Sequence, residues 1–286
     1  MNLIYVVIFA MILWGISWAS AKMITNYTNF EVILFWRLLV TFLSLVPVLW
    51  ITKDSFRITK KAIPYVVGGG LVMLFYNALF FLGLRNGLPG AGGVFVTTLN
   101  PIFNFFLVAL LYKYSIQKIE YFGLALGLSG GLIILKIWNI SIQELLDGGN
   151  VYFLVAAFTW AVLTIITAKS KSYISPVTYS LYLYGIATLV SFCIALPFEW
   201  LQPLQFDSVF WINLFYLATI STSFGTTIYF IASSKLGSAK ASSFIFLVPA
   251  SAVLSSWIIV GEKPELTTIL GGLLAISAVY LLNRKK

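Results

Sequence analysis

The sequence predicts an all-α membrane protein of ten transmembrane helices arranged as two inverted five-helix repeats. Three observations carry this expectation. Of the 286 residues, 60% are hydrophobic and 9% charged, where a soluble domain carries about 25% charge. With a mean hydropathy of +0.97 there is too little polar surface to cover a globule in water. Apolar runs of about 20 residues, enough to cross a hydrocarbon core, recur along the whole chain, and the basic residues fall in alternate connections between them.

In chain order the apolar segments are 3–25, 30–51, 63–84, 88–112, 118–138, 149–168, 175–197, 208–232, 238–260 and 265–283. The first carries Ala19-Ser20-Ala21, which looks like a cleavage site, but no Lys or Arg precedes it and the run is too long for a signal peptide, so it is expected to stay as a span. Trp14 and Trp18 lie four apart in it, and Trp14 stands about eleven residues in, near the bilayer centre. Arg37, about seven residues into the second span, has no carboxylate at helical spacing. A structural role near the helix end is expected for it, by snorkelling or contact with helix carbonyls, and attraction of an anionic substrate group is the alternative. In the third span Met73, Asn77, Phe80 and Leu84 share a face that Tyr76 adjoins.

The fourth span places Gly93, Thr97, Asn100 and Asn104 at spacings of 4, 3 and 4 on one face, with Pro101 removing one amide donor and displacing the carbonyl of Thr97. Such a stripe is costly against lipid and is expected to face protein or a water-filled cavity; an Asn pair bonding a neighbouring helix is the plainer alternative. Gly123, Gly127 and Gly131 form a small-residue ridge in the fifth span, echoed by Gly271 and Ala275 in the tenth. Packing within the monomer is the expected use, and a dimer interface the alternative. Trp160 and Thr164 lie four apart in the sixth span, and Cys193 sits in the seventh. The eighth is rich in hydroxyls, from Thr219 through Ser221, Thr222, Ser223, Thr226 and Thr227 to Tyr229, and the ninth offers Phe246 before Pro249 and Ser251 after it. Hydroxyls can satisfy themselves on the carbonyl one turn back, so density alone does not make a site.

Several chemistries are excluded. There is no His and one Cys, so disulfides, Cys/His zinc sites and His-based acid–base catalysis are absent. No phosphate-binding GxxxxGK[ST] loop occurs. No cofactor or metal is expected. The net charge of +9 could suggest nucleic acid, but the basic residues are scattered in short loops, which membrane topology explains better. None of the nine acids reaches a span centre, so facilitated diffusion or exchange is expected rather than obligatory proton antiport. An intramembrane enzyme is disfavoured by the lack of His, of paired intramembrane Asp and of any nucleophile–base spacing.

Shifting the chain by 148 residues lays the fourth and fifth spans on the ninth and tenth: Leu88 on Leu236, Ala91 on Ala239, Leu99 on Leu247, Pro101 on Pro249, Gly123 on Gly271 and Leu126 on Leu274. The expected units are therefore residues 1–138 and 149–286, each of five helices. An odd number of spans inverts the second copy, a plan recurrent in secondary transporters with a midplane site between the halves.

Trp14-Gly15 through Lys22, Arg37, and the segment from Gly237-Ser238-Ala239 through Pro249 to Gly261-Glu262 and Gly271-Gly272 resemble the drug/metabolite transporter superfamily, specifically its EamA-type ten-helix exporters. Tyr114 departs from the pattern, standing where the repeat register expects the counterpart of Glu262. The resemblance implies multi-pass transport of small metabolites, often amino acids or related compounds, across the inner (plasma) membrane. The expected contacts of a small-molecule substrate are Trp14, Trp18, Tyr76, Asn77, Phe80, Thr97, Asn100, Asn104, Trp160, Thr226, Tyr229, Phe246 and Ser251. The expected partners are that substrate and the lipid bilayer, with a monomer favoured over a homodimer and no nucleic acid.

Topology is testable at once. Lys53, Arg57, Lys60 and Lys61, then Lys113 and Lys118, Lys169 and Lys171, Lys235 and Lys240, and Arg284, Lys285 and Lys286 place thirteen of the 18 basic residues in alternate connections and the tail. By the positive-inside rule these are cytoplasmic, as are both termini. A C-terminal alkaline-phosphatase fusion should be inactive and a C-terminal green fluorescent protein fusion bright; active phosphatase would overturn the topology and the inversion with it.

Overall fold

The computed structural model describes residues 3–86, 91–146, 148–260 and 265–284, and no strand occurs among them. The architecture is an all-α membrane bundle. Its helices are α1 (Leu3–Ile24), α2 (Phe30–Thr52), α3 (Ile63–Asn86), α4 (Ala91–Tyr112) and α5 (Lys118–Leu135), then, after a five-residue helical turn at Ile142–Leu146, α6 (Gly148–Ser170), α7 (Pro176–Ala195), α8 (Ser208–Leu236), α9 (238–260) and α10 (Leu266–Asn283). Among the described residues nine of these are long and apolar enough to cross a membrane; the other, α9, contributes a shorter apolar stretch, Ser238–Val253, tightened at Phe244–Phe246. Residues 88–90 of the expected fourth span lie outside the described residues, as do Gly261, Glu262 and Lys263.

Helix ends follow local chemistry. Ser175 caps α7 by accepting the amide of Thr178 at 3.2 Å, with Pro176 behind it in the first turn, where a missing N–H costs nothing. Asp207 caps α8, accepting the Phe210 amide at 3.0 Å and the Tyr27 hydroxyl at 2.9 Å. Those two donors, the amide first, hold its carboxyl below the usual range. The fifth helix ends at Leu135, three residues before the expected boundary. Lys136 there turns left-handed at φ 52°, gives its amide to the Leu132 and Ile133 carbonyls, and pairs its ammonium with Glu265 at the start of α10. The eighth runs four residues beyond its expected end, to Leu236, and stops at Gly237, whose φ of 87° suits glycine.

The bundle is apolar outside and mixed inside. Ile51, Leu110, Leu189 and Leu273 are exposed, whereas Thr41, Asn100, Asn104, Thr164 and Ser180 are fully buried. That distribution fits lipid as the surrounding medium. The main helix contacts are α3 with α6 and α7, α2 with α7 and α8, α4 with α6, α1 with α8 and α9, and α5 with α10. Small residues permit the closest crossings. A Cβ on Gly130 would lie 2.6 Å from the Gly271 carbonyl, and one on Gly271 would lie 2.5 Å from that of Gly130. The ridge named from sequence is spent within the chain: Gly123 faces Leu282, Gly127 faces Phe246 and Gly131 faces Thr98.

The crossing of α1 and α9 gives a direct test. A Cβ at Gly15 would meet Ser251 Oγ at 2.4 Å and the Ala252 amide nitrogen at 2.6 Å, so backbone must move, whereas a Cβ at Gly68 in α3 meets nothing within 4 Å. Gly15→Ala should lower stability by about 1–3 kcal/mol, and Gly68→Ala should leave it unchanged or raise it by up to about 1 kcal/mol. Thermal unfolding of both in detergent reads the contrast; equal melting temperatures would show that the crossing is loose.

Candidate functional site

A cavity of about 50 Å³ lies at mid-depth, where α1–α4 face α6–α9. Its walls are largely aromatic. Trp14 and Trp18 come from α1, Tyr76 and Phe80 from α3, and Trp160 from α6. Ring centroids are 5.3 Å apart for Trp14 and Trp160, 4.5 Å for Tyr76 and Trp160, and 4.8 Å for Trp18 and Phe80. The edge-to-face or tilted geometries are those that aromatic quadrupoles favour, so the rings brace one another. Polar groups fill the gaps between them: Ser17, Asn77, Thr97, Asn100 and, from α8, Ser221, Thr222 and Thr226.

How α8 reaches the cavity follows from its local winding. Tyr216–Thr226 is wound as a wider π-type turn, a feature that concentrates at functional sites. Within it the Ser221 carbonyl accepts the Trp14 indole N–H at 3.0 Å, and Gly225 leaves room for the ring. Tyr216 reaches back to the Leu13 carbonyl at 2.8 Å. This anchors the mid-membrane indole donor that has no water to meet.

Nine of the thirteen residues named from sequence line this cavity: Trp14, Trp18, Tyr76, Asn77, Phe80, Thr97, Asn100, Trp160 and Thr226. Four do not. Asn104, one turn beyond Asn100, gives its amide to the Ala161 carbonyl at 3.2 Å and serves the α4–α6 contact. Tyr229 lies behind the wall, 5.2 Å from Trp14 and 3.0 Å from the Thr164 hydroxyl. Phe246 packs over Gly127, and Ser251 bonds the Met11 carbonyl at 3.1 Å at the α1–α9 crossing. Asn100 has both uses. Its amide donates to the Ala157 carbonyl at 3.0 Å, while its buried Oδ1 has no hydrogen-bond partner in the structure.

The largest addition to the expected set is Arg37. It is 8% exposed and lines the cavity instead of snorkelling to an interface. Its guanidinium lies 5.3 Å from the Phe80 ring centre and 5.6 Å from that of Phe81, with Nη2 donating to Thr222 Oγ1 at 3.2 Å. The signal was available in sequence as an intramembrane charge with no carboxylate at helical spacing. Tyr184 from α7 also lines the wall; no spacing pattern singled it out in a span of mixed hydroxyls.

Wider hollows lie toward the two ends of the bundle. One of about 580 Å³ is lined by Tyr65, Tyr112, Glu120, Lys169, Lys171 and Lys240. Another, of about 470 Å³, is lined by Lys22, Leu84, Gly93, Phe153 and Pro249, and it shares Trp18 with the central cavity. Among the described residues no group of three or more acids and cysteines is placed to hold a metal.

Comparison with known proteins gives a consistent picture. The profile of the EamA-like transporter family matches residues 1–136 and 147–284. An uncharacterized transporter of Archaeoglobus fulgidus is 26% identical over 48% of this chain and 48% of its own length. The uncharacterized transporter YoaV of Bacillus subtilis is 23% identical over 94% of this chain and 92% of its own. A probable amino-acid metabolite efflux pump of Salmonella typhimurium is 22% identical over 78% and 77%. A solved crystal structure superposes with a TM-score of 0.79 at 15% identity, covering 99% of this chain and 97% of that one, which speaks to the fold alone.

Asn100 and Asn104 form a matched pair for mutagenesis, since both bond α6 carbonyls and only Asn100 lines the cavity. Asn100→Ala and Asn104→Ala should each cost stability by roughly 0.5–1.5 kcal/mol, the range of interhelical hydrogen bonds in membranes. Asn100→Ala should in addition weaken substrate by about five- to hundredfold through loss of a hydrogen bond worth about 1–3 kcal/mol. Melting temperature and uptake kinetics on the same preparations separate the two effects; equal uptake by both variants would take Asn100 out of the site.

Proposed function

The chain belongs to the EamA-like transporter family, and on that premise we propose that it is an inner-membrane secondary transporter that exports small metabolites, amino acids or related amphiphilic compounds, by alternating access. The observation that carries this reading is the central cavity, whose lining comes from α1–α4 and α6–α9, with a wider hollow toward each end of the bundle. A solute held there touches both groups of helices, so rocking one against the other exposes it to either side in turn. The outward direction is supported by the efflux-pump names of two distant relatives.

The reading includes two inverted five-helix halves, residues 1–138 and 149–286. Replacing each helix by the one five places later turns the α3–α6 pair into α8–α1, α4–α6 into α9–α1, α3–α7 into α8–α2 and α4–α5 into α9–α10, and returns α2–α7 and α5–α10 to themselves. All of these pairs are packed against each other. The two stretches matched by the family profile, 1–136 and 147–284, are consistent with the same division. The hollow lined by Lys169, Lys171 and Lys240 is the cytoplasmic one on this topology, and the one beside Lys22 opens outward.

No carboxylate lines the central cavity among the described residues, which supports a carrier that needs no proton. Counterflow of a net-neutral amino acid in proteoliposomes should therefore proceed without a pH difference and saturate, as a channel's flux would not. Glu262, matching the family's Gly-Glu turn, is the residue that could oppose this. Uptake that requires an imposed proton gradient in the wild type and vanishes in Glu262→Gln would make it a proton carrier and end the uncoupled reading.

A further inference from the structure

Among the described residues Arg37 is the one strong charge in the cavity wall, and its surroundings do not neutralise it. The side chain is 8% exposed. Its described hydrogen bond runs from Nη2 to the Thr222 hydroxyl, a neutral group, and both Nε and Nη1 are buried without a partner. Phe80 and Phe81 offer their ring faces, which attract a cation and fix the guanidinium plane but accept no N–H in the manner of an oxygen. Among the described residues the only salt bridge is the distant Lys136–Glu265 pair. A guanidinium cannot shed its proton to escape this setting. An unpaired buried charge is strongly unfavourable unless a partner arrives to compensate it.

We infer that Arg37 is the receptor for a carboxylate on the transported solute, and that the carrier selects monocarboxylates bearing a hydrogen-bond donor beside the carboxylate, such as 2-amino and 2-hydroxy acids. The inference rests on the transporter reading above and adds to it the chemistry of the cargo. The carboxylate end sets the first half: one guanidinium neutralises one carboxylate, which leaves a 2-hydroxy acid neutral in the cavity and, for a zwitterionic amino acid, an ammonium that Asn100 Oδ1 and the ring faces of Trp14, Trp160 and Tyr76 meet. The planar N–H fork matches a planar carboxylate. The second half comes from Asn100, whose buried Oδ1 lines the same cavity without a donor. A carboxylate cannot serve that acceptor, whereas an adjacent amino or hydroxyl group can. The apolar remainder of the solute then lies against Trp14, Trp160 and Tyr76.

The test uses the purified full chain in detergent and thermal shifts. Alanine, leucine and phenylalanine are each offered as the amino acid, as the corresponding 2-hydroxy acid and as the amino acid amide, beside chloride and inorganic phosphate alone. At least one amino acid or hydroxy acid should stabilise the protein, with its amide at least tenfold weaker. Arg37→Gln should bind that probe about 10- to 100-fold more weakly while its ligand-free melting temperature stays level or rises, because an uncompensated charge has been removed. Arg37→Lys, which keeps charge and loses the fork, should fold and bind about tenfold more weakly, and it decides the matter if the Gln variant does not fold. Equal binding of acid and amide, stabilisation by chloride or phosphate alone, no response to any probe, or a Gln variant that is less stable yet binds normally would each overturn the inference. Counterflow on the same preparations keeps the two readings apart. Carriage without carboxylate selectivity removes the Arg37 assignment and leaves the carrier, and selective binding without counterflow removes the carrier and leaves the site.

Discussion

In a bundle surrounded by lipid, no water waits in the hydrocarbon to complete a hydrogen bond, and the arrangement of polar groups here follows from that constraint. Hydroxyls within the spans mostly close on their own helix: Thr41 on the Arg37 carbonyl, Thr98 on Val94, Thr164 on Trp160 and Thr188 on Tyr184, each at 2.6–2.8 Å and four residues back. Such groups have one bond made within their own helix, and Thr41 and Thr164 add a second beyond it, to the Ala218 carbonyl at 3.1 Å and with the Tyr229 hydroxyl at 3.0 Å. Amides, with two donors and an acceptor, are settled in two ways: Asn77 closes on the Met73 carbonyl of its own helix at 2.9 Å, whereas Asn100 and Asn104 reach across to α6, and each leaves its buried Oδ1 without a partner. The groups left over after this accounting mark where chemistry can happen, and Asn100 Oδ1 and the Arg37 guanidinium come together in one cavity.

The same constraint explains why the aromatic wall is held so firmly. Trp14 spends its indole donor on the Ser221 carbonyl, so it stands as a fixed surface. That bond depends on two irregularities, the wide turn of α8 that carries Ser221 and the absence of a side chain at Gly225. The opposite side of α1 crosses α9 at Gly15, where Ser251 closes the contact by bonding the Met11 carbonyl. One residue to either side along α1, packing and site are thus coupled: the backbone of Trp14–Gly15 is gripped by α9 while the Trp14 ring is gripped by α8. A shift at either crossing moves the cavity wall.

How much of this was legible in the sequence depends on which link is asked about. Spans were legible because twenty apolar residues between charged turns have one economical solution in lipid, and the boundaries that moved did so through local backbone events, such as left-handed Lys136, that hydropathy does not register. Helix faces were legible too: the α4 stripe and the α3 face both turn inward, since period and polarity are properties of one helix. Rotation about a neighbour is not such a property. Ser251 and Phe246 have the composition of cavity residues but face small residues of α1 and α5, and that pairing is set by which glycines oppose them. For Arg37, depth along the helix is a poor guide to snorkelling. Counted from the helix start it stood close enough to an interface to snorkel, but the Phe80 and Phe81 rings and Thr222 hold it inward. Glu262, part of the Gly-Glu turn in the segment that resembles the family, lies outside the described residues.

Cavity size then constrains how the protein works. A central space of about 50 Å³ for the centres of water-sized spheres, at about 10–15 Å³ for each water, takes a few waters, and a solute with more heavy atoms than that, such as leucine or phenylalanine, requires the wall to yield. The two ends of the cavity are unequal in this respect. Trp18 lines both the central space and the hollow beside Lys22, so a rotation of one ring away from Phe80 and Phe153, whose centroids lie 4.8 and 6.0 Å away, would merge them. Gly93 faces the Trp18 ring, which a Cβ added there would meet at 3.5 Å. Toward the hollow lined by Lys169, Lys171 and Lys240 no lining residue is shared among the described residues, and the intervening layer includes Tyr229 and Asn104, which are tied to the Thr164 hydroxyl and the Ala161 carbonyl of α6. Opening that side means separating helices rather than turning a ring. The barrier beside Trp18 is therefore the thinner one, and the slower, helix-scale movement belongs to the end lined by Lys169, Lys171 and Lys240.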